Sequence, residues 1–371
     1  MLNFQLSDKQ ETLKQQARKF ALEEVLPVSW DADESDDIPI SVLKKAAEEG
    51  LMNTSIPKIY GGRDLGLVET ALITEEIASA CPGIATSIFD NSLGAEPIIL
   101  SDNEGAKQKY LPQISQNFKL ICFATSEIAM GSDVSGIKCR TEMNGGDYLL
   151  NGNKFWVTNG GIADFITVFA TTDPKLKHEG ICAFLVEKDW DGVKTGIPIP
   201  KMGQRSSNTA ALSFENVAVP RLNVLAGPGE GFALAMKTFS RTRPMIGAFA
   251  VGAARSAMEF AIEHVKKRKA FGMTLSNFQS LQFKIAEMFQ KVETARLLVL
   301  KSAWEADQFR DPTVSASIAK MYATESAWEV VDEALQMFGG GTDTPRCFPL
   351  KNFSVICVCI EFMKVPVKSN G

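Results

Sequence analysis

The spacing of apolar residues changes twice along this chain, from helical to alternating and back to helical. That order constrains the fold more than any single motif, because an alternating βαβ sheet would need strands and helices interleaved throughout. Up to residue 116 the period is helical. Ser7 and Gln10 make a capping-box signature, followed by Leu13, Ala17, Phe20 and Val25 at helical spacing, with Pro27 expected to stop the helix. Further helices are expected over 40–50, with Gly50 as the C-terminal cap, over 68–80 and over 91–101. From 117 to 230 short β-rich runs appear at 119–125, 148–161, 164–172, 180–187 and 210–220, and Asn151–Gly152 reads as a hairpin turn. Such strands suggest an antiparallel sandwich or barrel. From 231 the helical period returns in three long segments, 231–267, 277–308 and 313–338, the last two separated by Asp311–Pro312. Long helices joined by short links read as a bundle. The segment GPGEGF (227–232) lacks the GxGxxG spacing and reads as a boundary loop.

Charge and composition remove several functions. Of 371 residues, 39 are Lys or Arg and 44 Asp or Glu, a net charge of −5 with no basic stripe, so nucleic acid is not an expected partner. No apolar run is read as a membrane span. The opening MLNFQLSDKQETLKQ has no basic segment leading into an apolar one, and the expected address is the cytoplasm. The seven cysteines form no CxxC pair, and the only histidines are His178 and His264, so no metal site is expected. His178 reads as a loop residue and His264 as a solvated helix residue rather than as catalytic groups.

Three segments, SEIAMGSDVSGIK (126–138), KFWVTNGG (154–161) and KMGQRSSNTAALSFENVAVP (201–220), then match one family, together with SRTRP (240–244), KRKAFGMTLSNFQSLQFKIAEM (267–288) and ALQMFGG (334–340). In this combination and order the chain resembles the acyl-CoA dehydrogenases of the short- and medium-chain type over about residues 1–340. The resemblance implies a mostly α fold with a central β-domain: an N-terminal helical domain (1–116), an antiparallel β-barrel or sandwich (117–230) and a C-terminal four-helix bundle (231–341), leaving an aberrant tail (342–371). It also implies FAD, an acyl-CoA substrate, an electron-transfer flavoprotein as electron acceptor and a homotetramer. The implied reaction is α,β-dehydrogenation of the thioester to the 2-enoyl-CoA. A carboxylate must take the weakly acidic α-proton, a hydride must leave Cβ, and hydrogen bonds must hold the developing enolate oxygen.

Position by position, the resemblance assigns Phe123, Thr125, Ser126 and Ser132 to the flavin-contacting loop, with Ser132 also near acyl-CoA. It sets Trp156, Val157 and Thr158 beside the flavin. Arg268 and Phe271 match an RxxFG signature that reaches the FAD of a neighbouring subunit, where the Arg suits pyrophosphate. Gln279, Gln336, Gly339 and Gly340 match further FAD contacts, and Ser240 and Arg243 the CoA moiety.

The chain also departs from the family. Ile128 stands where the family has a turn-setting Pro and Ala129 where it has Gly, so the backbone beside the flavin is expected to shift. Ser240 replaces an Asp. After Gly340 the family's catalytic Glu, in a YEGT motif, is absent, and Thr242 stands where other members carry their base. The tail contains an apolar, β-like run, NFSVICVCIEF (352–362), and holds three of the seven cysteines. Read one base out of frame, the only codon for Met363 followed by that of Lys364 forces a Glu, and synonymous choices over 351–371 permit KLFRDMRVYRIYEGTSEIQR. The tail thus has the form of a frame-shifted family ending. Two alternatives follow for the printed chain. Asp90 is a relocated base acting on an unusual acyl-CoA, against the plain reading of an N-cap Asp, or the protein binds flavin and acyl-CoA without catalysis.

Overall fold

A computed structural model describes residues 5–339, so Gly340 and the tail with its missing motif lie outside the described residues. The chain begins with six α-helices: α1 (Asp8–Phe20), α2 (Leu26–Ser35), α3 (Ile40–Glu48), α4 (Leu67–Ala80), α5 (Pro82–Leu100) and α6 (Glu104–Gln116). The Ser7–Gln10 capping box forms in both directions, at 3.3 and 3.0 Å. Gly50 closes α3 at φ +68°, while Leu51 N–H returns to Ala46 O at 2.8 Å. Pro27 does not end the first helix. A π-helical turn, Ala21–Val25, comes first, in which Leu26 N–H reaches five residues back to Ala21 O. Pro27 then falls in the first turn of α2, where a missing N–H leaves no ladder bond unmade.

Helix α4 is buried on most sides and carries two adjacent buried acids. Arg296 forks onto Glu75 at 2.8 to 3.2 Å and Arg255 reaches Glu76 at 2.7 Å, so these charges are paired where they leave water. The Asp307 carboxylate accepts from Leu67 N–H (2.7 Å) and Val68 N–H (3.0 Å) and so caps α4 from a distant part of the chain.

Eight strands make the central sheet: β1 (Ile121–Ala124), β2 (Arg140–Asn144), β3 (Asp147–Thr158), β4 (Phe165–Thr171), β5 (Ile181–Glu187), β6 (Val193–Pro198), β7 (Thr209–Val219) and β8 (Val224–Ala226). The order is β6-β7-β3-β2-β4-β5-β8, with β1 beside β4. Neighbours run antiparallel as expected, except that β1 pairs parallel with β4 and β2 touches β4 in one parallel pair. The parallel strand enters from α6 and is fixed to α5, where Asn91 Oδ1 accepts from Ile121 N–H at 2.6 Å. Gly94 lies against the backbone of Ile121 and Cys122.

Asn151–Gly152 is not a turn. It lies within β3, and the chain reverses instead at Gly145 and Gly146 (φ +61° and +105°). Gly152 marks a register shift where a Cβ would come within 2.7 Å of Cys139 Cα, so close backbone approach is what requires glycine there.

The remaining elements are α7 (Glu230–Lys267), a hairpin of β9 (Lys269–Ala270) and β10 (Met273–Thr274), α8 (Gln279–Asp307) and α9 (Thr313–Phe338). The three helices match the expected spans closely and pack on one another, with α4 against α7 and α8. Although α7 is long and apolar enough to cross a membrane, 78% of its most apolar window is buried against protein. It is the central helix of the core, and Phe249, Ala250, Val251, Ala253 and Ala254 face other helices.

Candidate active site

Most of the expected flavin-contacting residues come together where β1 leaves the sheet beside the end of β3. Phe123 points its ring at Phe169 (5.1 Å) and at Phe239 of α7 (5.6 Å). Thr125 and Ser126 continue beyond the strand. The next residues fold into a tight turn, Glu127 N–H to Met130 O (2.8 Å) and Met130 N–H to Glu127 O (3.1 Å). Ile128 and Ala129 occupy its tip, and neither has a positive φ. The tip of this turn therefore does not call on glycine's left-handed freedom. Ser132 follows on the exposed part of the loop.

The facing segment of β3 is irregular. Between Lys154 and Val157 the register against β7 slips, because three steps on β3 oppose two on β7. Trp156 stands in that bulge at φ +55°, a conformation costly for a bulky residue, and its side of the bulge is open: the residue is 53% exposed. Val157 turns inward and Thr158 pairs with Thr209. Asn159, at φ +57°, locks the far side of the bulge by donating its N–H to Asn208 O (2.9 Å) and its Nδ2 to Ser87 O (2.8 Å). On the near side Phe155 N–H donates to Ser126 O (2.9 Å), which ties the bulge to the loop. The Thr125 hydroxyl is buried here with no partner.

Two residues that sequence reasoning passed over hold this corner together. Lys154 is fully buried, and its Nζ donates to Thr125 O (2.9 Å) and to Glu127 Oε1 (2.8 Å). Both lie inside segments quoted for the family resemblance. The sequence signal, a lysine two positions before an exposed tryptophan and an acid after Thr–Ser, does not reveal that both are buried.

Arg243 is joined to the same corner through an aromatic row, its guanidinium 6.0 Å from the Phe239 ring centroid. Burial pulls its pKa below the ordinary arginine value. Ser240 is buried one turn earlier on α7, with its hydroxyl 3.2 Å from that of Thr313. Neighbouring Arg241 pairs with Glu96 of α5.

A second group gathers where α7 and α9 end and α8 begins. Arg268 closes α7 by donating its N–H to His264 O (2.8 Å). His264 is not simply solvated: its ring stacks on Phe338 at 4.3 Å, and burial with the nearby Arg268 charge pulls its pKa down. That stack brings Gln336 and Gly339 to the Arg268 end of the bundle. Phe271 sits at the tip of the β9–β10 hairpin at φ +51°, followed by Gly272 at φ +82°, and is 92% exposed. Gln279 opens α8 and is also exposed.

Asp90 is no N-cap. It lies inside α5, 8% exposed, with one carboxylate oxygen buried and unpartnered. Burial pushes its pKa well above the ordinary value. A cleft of about 660 Å³ opens between Leu100, β8 and the start of α7, and none of the expected site residues lines it.

The family model "Acyl-CoA dehydrogenase, N-terminal domain" matches residues 7–117, the middle domain 122–217 and the C-terminal domain 229–346. The probable acyl-CoA dehydrogenase FadE25 of Mycobacterium tuberculosis is 36% identical over 94% of this chain and 90% of its own length. Butyryl-CoA dehydrogenase of Megasphaera elsdenii superposes with a TM-score of 0.94 at 32% identity, covering 97% of this chain and 95% of that one. A chain of the structure described as the electron transferring flavoprotein of Acidaminococcus fermentans does so with a TM-score of 0.94 at 34% identity and the same coverage. PigA with FAD and proline gives 0.93 at 25% identity, covering 97% and 94%. The chain belongs to the acyl-CoA dehydrogenase family, oxidoreductases that act on a CH–CH pair with FAD as cofactor.

Proposed function

We propose that the β1–β3 corner holds the isoalloxazine of FAD and that the protein takes up an acyl-CoA there for α,β-dehydrogenation to the 2-enoyl-CoA. One observation carries this reading: a strained, outward-held Trp156 beside the unpartnered buried Thr125 hydroxyl, with Thr158 on the same strand end. A flat aromatic wall and a hydrogen-bonding hydroxyl suit a planar heterocycle with polar edges. In this reading Thr125 and Ser126 bond the flavin edge, Trp156, Val157 and Thr158 flank it, and Phe123 closes the apolar side. Ser132 faces both cofactor and substrate, and Ser240 and Arg243 hold CoA phosphate and amide groups. Arg268 and Phe271 reach the FAD of a neighbouring subunit, and Gln279, Gln336 and Gly339 make further FAD contacts. The exposure of Phe271 fits the first of these roles, since a side chain serving another subunit stands clear of its own. FAD supplies the hydride acceptor.

The chain's own part is to bind and orient the thioester, exclude water and take the α-proton. With no YEGT glutamate in the printed sequence, that last step lacks its family base, and turnover is impaired. Loss of a general base typically costs about 10²–10⁴-fold. The test is anaerobic mixing of the FAD-loaded chain with butyryl-CoA while flavin absorbance is followed. FAD binding with slow bleaching, accelerated at least about 10²-fold when the ending is rebuilt as YEGTSEIQR, is expected. Equal bleaching rates for the two chains overturn the impairment. Failure to bind FAD at all overturns the site.

A second reading has Asp90 in its favour, as a buried carboxyl with a free oxygen. Burial pushes its pKa well above the ordinary carboxylate value and so favours the protonated form, which must lose its proton before it can act as a base on an unusual acyl-CoA. Bleaching by the printed chain that Asp90→Asn abolishes supports it. Tight acyl-CoA binding with no bleaching under either ending supports a non-catalytic binding role instead. An electron-transfer flavoprotein as acceptor, a homotetramer and a cytoplasmic address complete the proposal.

A further inference from the structure

The Lys154–Glu127 pair joins three separate stretches of chain at one buried point. Lys154 bonds Thr125 O and Glu127 Oε1 at 2.9 and 2.8 Å. Glu127 in turn accepts from Cys139 N–H through Oε1 (2.9 Å) and from Lys138 N–H through Oε2 (2.8 Å). The loop after β1, the entry to β2 and the bulge of β3 are therefore fixed relative to one another by two side chains. Lys154 is the last residue of β3 in regular register before the bulge, so its side chain sets where the displacement that presents Trp156 begins. The Thr125 hydroxyl makes no hydrogen bond and so takes no part in this anchoring.

A buried ion pair is weak evidence for stability, because an apolar pair of similar volume often serves as well. What an apolar pair cannot do is draw two acceptors and two backbone donors to one point. The Thr125 carbonyl also shares its peptide group with Ser126 N–H, so an ammonium on that oxygen polarises the group and strengthens the N–H as a donor.

We propose that Lys154 and Glu127 are positioning residues for FAD: their buried pair locks the Thr125–Ser126 peptide against the Trp156 bulge, and so sets how tightly the flavin is held and in what electronic environment. The inference rests on the flavin site proposed above.

The test uses the full-length chain freed of FAD and titrated with it. Glu127→Gln keeps the shape and one acceptor oxygen while removing the charge, and Lys154→Met/Glu127→Gln removes both charges. Expected are thermal midpoints within a few degrees of the parent without FAD, a dissociation constant for FAD raised at least tenfold, a shifted visible flavin band and an altered flavin potential. Parent-like FAD affinity, spectrum and potential in the double variant overturn the proposal. If the double variant does not fold, Glu127→Gln alone decides by the same readouts, and loss of folding in that variant too overturns it, since the pair is then structural. Trp156→Ala is titrated in parallel. If it binds FAD like the parent, the site itself is misassigned. If it loses FAD while the Lys154 and Glu127 variants keep it, only the positioning role falls.

Discussion

Trp156 is held in a left-handed conformation with half its surface in solvent, an arrangement that burial does not repay. Asn tolerates that backbone region far better than Trp. Trp156→Asn is therefore expected to raise the stability of the FAD-free chain by up to about 1 kcal/mol in denaturant unfolding while FAD affinity falls at least about tenfold. Lower stability together with unchanged FAD affinity would show that the residue serves packing alone. Asp90 makes a pH-dependent prediction. Its folded pKa lies above its ordinary value of 3.8, so the folded state keeps a proton that the unfolded chain has given up. The unfolded state then binds fewer protons, and stability falls as pH rises from 3.8 to the raised folded value, above which it is flat. Asp90→Asn removes this loss. The variant is expected to be more stable than the parent at neutral pH, with the difference shrinking towards pH 4, as unfolding curves at several pH values would register.

Elements here are fixed by groups far away in sequence. Helix α4 begins without a local side-chain cap, because Gly66 precedes it, and Asp307 at the end of α8 supplies both acceptors. Asp307→Ala is expected to cost about 1 to 2 kcal/mol, the usual range for a lost cap, and Asp307→Asn clearly less. Equal losses in the two variants would mean that a single remaining acceptor oxygen does not cap α4. The same kind of long-range control decides β3. Asn151–Gly152 carries hairpin chemistry, yet Asn151 bonds Asn216 across the sheet in both directions (2.8 and 3.1 Å) and the strand runs through. Pro27 likewise carries helix-stop chemistry, which the preceding π-turn makes harmless.

For the whole molecule, the outward faces of the bundle are the telling feature. Val314, Ile318, Met321 and Trp328 form an exposed stripe along α9, and Phe283, Leu297 and Trp304 another along α8 at multiples of seven residues. Rows of exposed large apolar side chains of this kind mark an interaction face. The proposed homotetramer gives it an occupant, and Met321→Glu together with Trp328→Glu is expected to shift the protein to smaller species in sedimentation velocity. An unchanged sedimentation coefficient would assign the stripe another partner.

The order of helix, sheet and helix was legible because apolar period and cap chemistry are local. The Ser7–Gln10 box, the Gly50 cap and the three helices α7 to α9 follow from residues within a few positions of one another. The candidate flavin corner was legible by resemblance, since Thr125, Ser126, Trp156 and Thr158 stand in matching motifs, and the absent YEGT glutamate is a fact of sequence alone. Other features depended on the assembled fold. Burial of Lys154, Glu127 and Asp90, the parallel pairing of β1 with β4, the bulge that turns Trp156 outward and the capping of α4 by Asp307 arise from contacts between distant segments. Whether a charged side chain loses its water, and what it meets when it does, is set by the surfaces that close around it, and a local pattern of residues carries no record of those surfaces.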